Sequence, residues 1–237
     1  MEARPAPSLL RPVVRRAFRT GRFYLVYGSG ISCVLAVVLA LSGGDAFATS
    51  FPLLLPIFGV VGSLGGLIVF SNDRIKGVLE YLLAYGVTPQ QVFFSILVAA
   101  LTLQAVVVGA GLTAGVVVYL ANGRTLTANL ALDFGLYSVP MSIASVIFAA
   151  TVGTYWTTLS SPRSGMNSPI GLIPMIGILP SVATLFGITA LAASGLAAQN
   201  DIYLVGGTVE AVIVVVVAVL LGGMNRFLRR ERLLSPA

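Results

Sequence analysis

A chain of 237 residues with 57% apolar and only 9% charged side chains lies far from the roughly 25% charged composition of soluble domains. It reads as an all-α integral membrane protein. Histidine is absent and Cys33 is the lone cysteine, which leaves no material for a metal cluster, a nucleophile paired with histidine, or an intrachain disulfide.

In chain order, Arg4, Arg11, Arg15, Arg16, Arg19 and Arg22 alternate with Leu9, Leu10, Val13, Val14, Ala17 and Phe18. The pattern predicts a basic amphipathic interface helix over residues 1–22, its apolar face in the headgroup layer and its arginines on lipid phosphates or an acidic partner. A plain topological anchor explains it equally well. Arg15-Arg16 before an apolar run and Ala46-Phe47-Ala48 after it resemble an export signal. The run exceeds the roughly 7 to 15 residues of a signal core, so a retained membrane helix is expected.

Six apolar runs follow: Phe23 to Leu41, Phe51 to Phe70, Val92 to Leu120, Phe134 to Thr157, Ile170 to Ala193 and Ile202 to Gly222. Each approaches or exceeds the about 20 residues that cross a hydrocarbon core of about 30 Å. They predict a six-helix transmembrane domain over residues 23–222, then a basic tail over 223–237. The third run, 29 residues long, exceeds one crossing and predicts tilt. Pro52 and Pro56 in the second run, and Pro169, Pro174 and Pro180 in the fifth, predict kinked or broken helices. Residues 193–200 leave room for a short re-entrant piece. Gly62-x-x-x-Gly66 and Gly111-x-x-x-Gly115 predict close helix packing.

Thirteen of the 14 basic residues fall at one set of helix ends, while Arg124 stands with Asp45, Asp133 and Asp201 at the other. Lys and Arg remain on the cytoplasmic side, so both termini and the connection around Arg74 are expected in the cytoplasm, with the spans in the plasma membrane. This topology accounts for the net charge of +6 without invoking nucleic acid. Glu210 is the one charged residue of the sixth run, where a charge costs a few kcal/mol unless partnered or wetted. It marks a translocation path or an interhelical latch; a protonated carboxyl bonded to a neighbouring hydroxyl is an equal alternative.

The connection from Ser71 to Gln91 has the most structured grammar. Ile75, Val78, Leu79 and Leu82 fall at i, i+3, i+4 and i+7, Leu83 widens the stripe, and Arg74, Gly77, Glu80 and Tyr81 lie off it. Ser71, Asn72 and Asp73 can cap a helix start, and Gly86 suits the left-handed position after its end. Thr88-Pro89-Gln90-Gln91 reads as an N-cap, a proline at the first helical position and a capping-box glutamine. A short helix over 72–86 is expected, serving as a passive connector or as a force-transmitting lever. Ile75 precedes Lys76, the only lysine, so no G-x-x-x-x-G-K-[ST] loop exists. The chain is not expected to be an enzyme or to hydrolyse nucleotide, and energy for work must come from another subunit or an ion gradient.

Asp73-Arg74-x-x-Gly77-x-Leu79-Glu80-x-Leu82-Leu83, followed by Gly86-Val87-Thr88-Pro89, resembles the segment between the second and third helices of type-2 ABC exporter permeases. The six-run layout and basic N-terminus agree with that family. The resemblance implies a permease that pairs with a second copy or homologue and binds cytoplasmic ABC ATPase subunits. It then moves substrate by alternating access, with ATP and Mg held by the ATPases and no cofactor in this chain. It assigns Gly77, Leu79, Glu80, Leu82, Leu83, Gly86, Thr88 and Pro89 to the coupling element and Arg163 to a weaker second contact. Arg15, Arg16 and Arg19 belong to the interface helix beside them. Val78 and Gly86 depart from the commoner Thr and Pro of the pattern, and the stretch between the last two runs is shorter than in members that export lipids or polymers. The residues themselves also admit a gradient-driven transporter with Glu210 as its ion site, or a non-transporting membrane scaffold.

Overall fold

The computed structural model describes residues 10–75, 78–159, 172–193 and 201–227. Eight α-helices follow one another: α1 Leu10–Ser42, α2 Gly44–Ile75, α3 Val78–Ala84, α4 Pro89–Ala121, α5 Ala128–Leu132, α6 Val139–Leu159, α7 Leu172–Ala193 and α8 Asp201–Phe227. A π-helical turn, Asp133–Ser138, joins α5 to α6, and the described residues contain no strand. Five segments are long and apolar enough to cross a membrane: Leu10–Ser42, Phe47–Ile68, Pro89–Ala121, Ala128–Gly153 and Val205–Gly223. The chain is therefore a multi-pass, all-helical membrane protein. Within α7 the apolar stretch Ile176–Ala190 is shorter.

The boundary expected at residue 22 is absent. Leu10–Ser42 is one helix of 33 residues, roughly 50 Å long, so Arg15, Arg16 and Arg19 lie on the opening turns of a membrane helix. The reason is tertiary: Val13, Val14 and Phe18 pack against a cluster of Ala17, Ala99 and Leu103. The stripe that looked suited to headgroups faces protein instead.

Helices α1, α2 and α4 form one closely packed group, α6, α7 and α8 a second, and α2 touches both. Of the apolar segment of α2, 67% is buried, against 22% for α1 and 17% for α8, which makes α2 the axis of the bundle. Lipid removes the hydrophobic drive between helices, so close approach of small residues must supply the packing energy. Helix α1 buries Ala17, Gly21, Gly28, Ser32, Ala36 and Ala40. A Cβ on Gly21 would stand 2.7 Å from the Gly65 Cα of α2, and one on Gly66 would stand 2.7 Å from the Ala100 backbone nitrogen of α4. Gly115 fits against the Phe47 ring and Gly111 against Ser32. Both glycine pairs read from the sequence therefore sit at helix contacts.

The prolines do not break their helices. Helix α2 runs unbroken through Pro52 and Pro56, and α7 through Pro180. Pro174 falls in the opening turn of α7, where a missing N–H leaves nothing unpaired, and Pro169 lies outside the described residues. Pro56 deprives the Pro52 carbonyl of its i+4 donor, and the Ser138 hydroxyl donates to that carbonyl at 2.9 Å. The donor comes from the widened π turn just before Pro140. At this end of the bundle Phe47 stacks on Phe51 and Tyr119, each at 5.1 Å between centroids, with Phe134 tilted against them. The cluster fixes where α6 begins.

Candidate functional site

Two places concentrate the residues singled out by sequence. One is the connection between α2 and α4 at the basic end of the bundle; the other surrounds Glu210 on α8.

At the connection, Ser71, Asn72 and Asp73 are not a new helix start. They extend the last turns of α2, which reaches Ile75, so the helix expected over 72–86 is confined to Val78–Ala84. Asp73 is 6% exposed and meets Arg16 of α1 at 2.6 Å, a pairing that competes with any capping role. The Arg16 side chain is 41% exposed, which keeps the pair's worth to about 1 kcal/mol. Arg15 and Arg19 are exposed on the same helix.

The end of α3 follows from its sequence. Gly86 adopts φ +85, a left-handed conformation that costs a side-chain-bearing residue about 1 kcal/mol or more. Its N–H donates to Leu83 O at 3.2 Å, and the Val87 N–H donates to Leu82 O at 3.1 Å. Together these form the paired closure of a Schellman motif. Buried Val87 and half-buried Leu82 share one apolar cluster, as that motif favours. Two residues on, the Gln91 N–H donates to Thr88 Oγ1 at 3.3 Å, and the Thr88 N–H donates to Gln91 Oε1 at 2.9 Å. This is a complete capping box with Pro89 opening the 33-residue α4. Helix α3 and helix α4 are thus joined by four residues, 85–88, whose backbone N–H groups all donate hydrogen bonds.

The faces of α3 divide sharply. Leu83 is 1% exposed and packs on Phe93 with Leu97 beside them, so it holds α3 to its own chain and is out of a partner's reach. Leu82 is likewise turned inward. Tyr81 and Tyr85 are 70% and 80% exposed, and Gly86 and Thr88 are exposed with them, while Pro89 is half-buried. The outward face of this end therefore carries two tyrosines one turn apart. Their i, i+4 spacing on the face opposite the leucines is a signal readable in the sequence. Leu79 and Glu80 lie within α3; Gly77 and Arg163 fall outside the described residues.

Around Glu210 the second group assembles from three helices. Tyr137 of the π turn is 1% exposed and stands beside Thr184 of α7, within electrostatic reach of Glu210. The Thr184 hydroxyl already donates to Pro180 O at 3.1 Å. Tyr137 Oη, Glu210 Oε1, Ser145 Oγ and Ser181 Oγ are buried atoms without a hydrogen-bond partner among the described residues. Gly206 makes the space for Tyr137, since a Cβ there would stand 2.6 Å from its ring. Nearby, Gln104 Nε2 donates to Ser142 Oγ across α4 and α6, with Gly59 of α2 leaving room for both. Glu210 was legible as an intramembrane carboxylate; Tyr137 and Thr184 were not, because nothing in sequence spacing joins α8 to the π turn and α7.

Neither place gathers metal ligands: the described residues hold no group of three or more His, Cys, Asp and Glu that could share an ion. Comparison of the chain with protein-family models, with curated proteins and with solved structures gives no match.

Proposed function

We propose that the chain is the membrane subunit of an ATP-driven exporter of the type-2 ABC class, working as a dimer with separate cytoplasmic ATPases. In this reading α7 is the sixth crossing, the basic end faces the cytoplasm, and α3 is the element on which an ATPase pushes. One observation carries the proposal. Helix α3 is a seven-residue helix closed at its end by a left-handed glycine and followed at once by a capping box. It is anchored inward by Leu83 while it presents Tyr81 and Tyr85 outward. A push on that face cannot be absorbed by fraying and passes into α4. The Arg16–Asp73 pair ties α1 to the other side of the same connection, so the push reaches α1 as well.

The test is co-purification with each nucleotide-binding ATPase encoded in the chain's genomic neighbourhood. Wild type should co-elute with its ATPase. Tyr81→Ala with Tyr85→Ala should weaken the complex at least tenfold, since buried interface aromatics dominate binding energy, while the helical content of the permease stays unchanged. Undiminished binding by the double variant would remove α3 from the interface.

A further inference from the structure

We infer that Glu210 is the anchor of a binding site for lipophilic organic cations, set in an apolar groove between α6 and α8. As a statement of substrate class it rests on the transport reading above; as a binding site it stands on its own geometry.

The groove has a volume of about 660 Å³, within the 300 to 1,000 Å³ typical of small-molecule sites. Its walls are apolar side chains, among them Pro140 and Ile147 of α6 and Ile213, Val214 and Leu221 of α8, with Leu97 of α4 at one edge. Among the described residues, Glu210 is the sole charged residue lining it. From Glu210 to Leu221 the groove follows α8 for 11 residues, roughly 16 Å. At its polar end Glu210 Oε1 is buried without a hydrogen-bond partner among the described residues. A carboxylate is therefore held in an apolar setting with no arginine or lysine among the described lining residues to answer it.

The chemistry of the occupant follows by elimination. A hydrocarbon tail would fill the walls and leave the carboxylate unanswered, which a low-dielectric setting penalises. Calcium or magnesium takes six or more oxygen ligands, and zinc prefers nitrogen and sulfur ligands; the described lining supplies one carboxylate. An organic anion would meet Glu210 with like charge. A cation carried on an apolar body satisfies both features at once: its charge faces Glu210 and its body lies along the groove toward Leu221.

Tetraphenylphosphonium and tetraphenylborate share shape and size and differ in the sign of charge, which makes them the decisive probes. The full chain, purified in a neutral detergent without any ATPase, should bind radiolabelled tetraphenylphosphonium saturably and tetraphenylborate at least tenfold more weakly. Glu210→Gln keeps the shape and removes the charge; it should weaken phosphonium binding at least tenfold with an unchanged circular dichroism spectrum. Ile147→Trp, which fills the groove and leaves Glu210 in place, should also weaken it, so the result does not hang on one variant. Equal binding of the two probes, or full phosphonium affinity in Glu210→Gln, overturns the inference. Because no ATPase is present, that failure leaves the exporter reading intact, and loss of ATPase co-purification in turn leaves the cation site intact.

Discussion

Helices α1, α2 and α4 approach through bare backbone, Gly21 on Gly65 and Gly66 on Ala100. Among the described residues, helices α6, α7 and α8 leave Tyr137, Ser145, Ser181 and Glu210 with unanswered polar atoms, against Ser32 alone on α1 in the interior of the first group. Both groups lie in the same apolar setting, so the difference is not imposed by solvent. Close backbone approach restricts the first group, since glycine and alanine have no alternative rotamers to adopt. Unpartnered polar atoms give the second group a reason to accept water, a ligand or a rearranged neighbour. The two kinds of region adjoin along α2. The difference can be broken or sharpened by substitution.

The largest effect is expected at Gly66. A Cβ there meets the Ala100 backbone nitrogen at 2.7 Å and the Ala100 Cα at 2.8 Å, and backbone cannot swing aside as a side-chain tip can. Gly66→Val should cost roughly 3 kcal/mol through overpacking, read as a lower midpoint of thermal inactivation in detergent. Gly109 of α4 has open space around it, so Gly109→Ala should be neutral or stabilise by up to about 1 kcal/mol through helix propensity. Equal effects at the two glycines would mean that close approach does not hold this group together.

Much of this arrangement was legible beforehand where the controlling interaction is local. Gly86, Thr88, Pro89 and Gln91 form the joint their residue types specify, because a cap is decided within four residues. The long apolar runs and the glycine pairs were legible for the same reason of short range. The failures share the opposite cause. Helix α2 runs on through Pro56, where Ser138, 86 residues from Pro52, gives the Pro52 carbonyl the donor that Pro56 lacks. Asp73 did not cap a new helix, since Arg16 from α1 claims it. Leu82 and Leu83 match a coupling motif by type, but only the fold decides that Leu83 faces Phe93 rather than a partner.

Ser138 tests that dependence on distant partners. Ser138→Ala removes the donor to the Pro52 carbonyl and leaves an acceptor unsatisfied inside the bundle. Interhelical hydrogen bonds in membranes average well under 2 kcal/mol, so a loss of about 1 kcal/mol is expected, accompanied by faster hydrogen exchange near Pro52. Unchanged exchange there would show that α2 tolerates its prolines without the π turn.

The smallest effect is expected at Ser181, and it is the one that separates the two regions most cleanly. Ser181 is 2% exposed and its hydroxyl has no hydrogen-bond partner among the described residues, so Ser181→Ala removes no bond that the fold makes. It also removes the cost of burying an unpaired hydroxyl and substitutes a better helix former. Stability should shift by less than about 0.5 kcal/mol, in either direction. A loss above about 1 kcal/mol would mean that the hydroxyl answers to an ordered water or to a second molecule in the working protein. The α6, α7 and α8 group would then hold one fewer unanswered atom, and the contrast between a fixed and an adaptable region would narrow. A null result at Ser181 together with a loss at Ser138 would instead locate the adaptable region between α6 and α7, beside Tyr137 and Glu210, where an occupant could be received without breaking a bond the fold depends on.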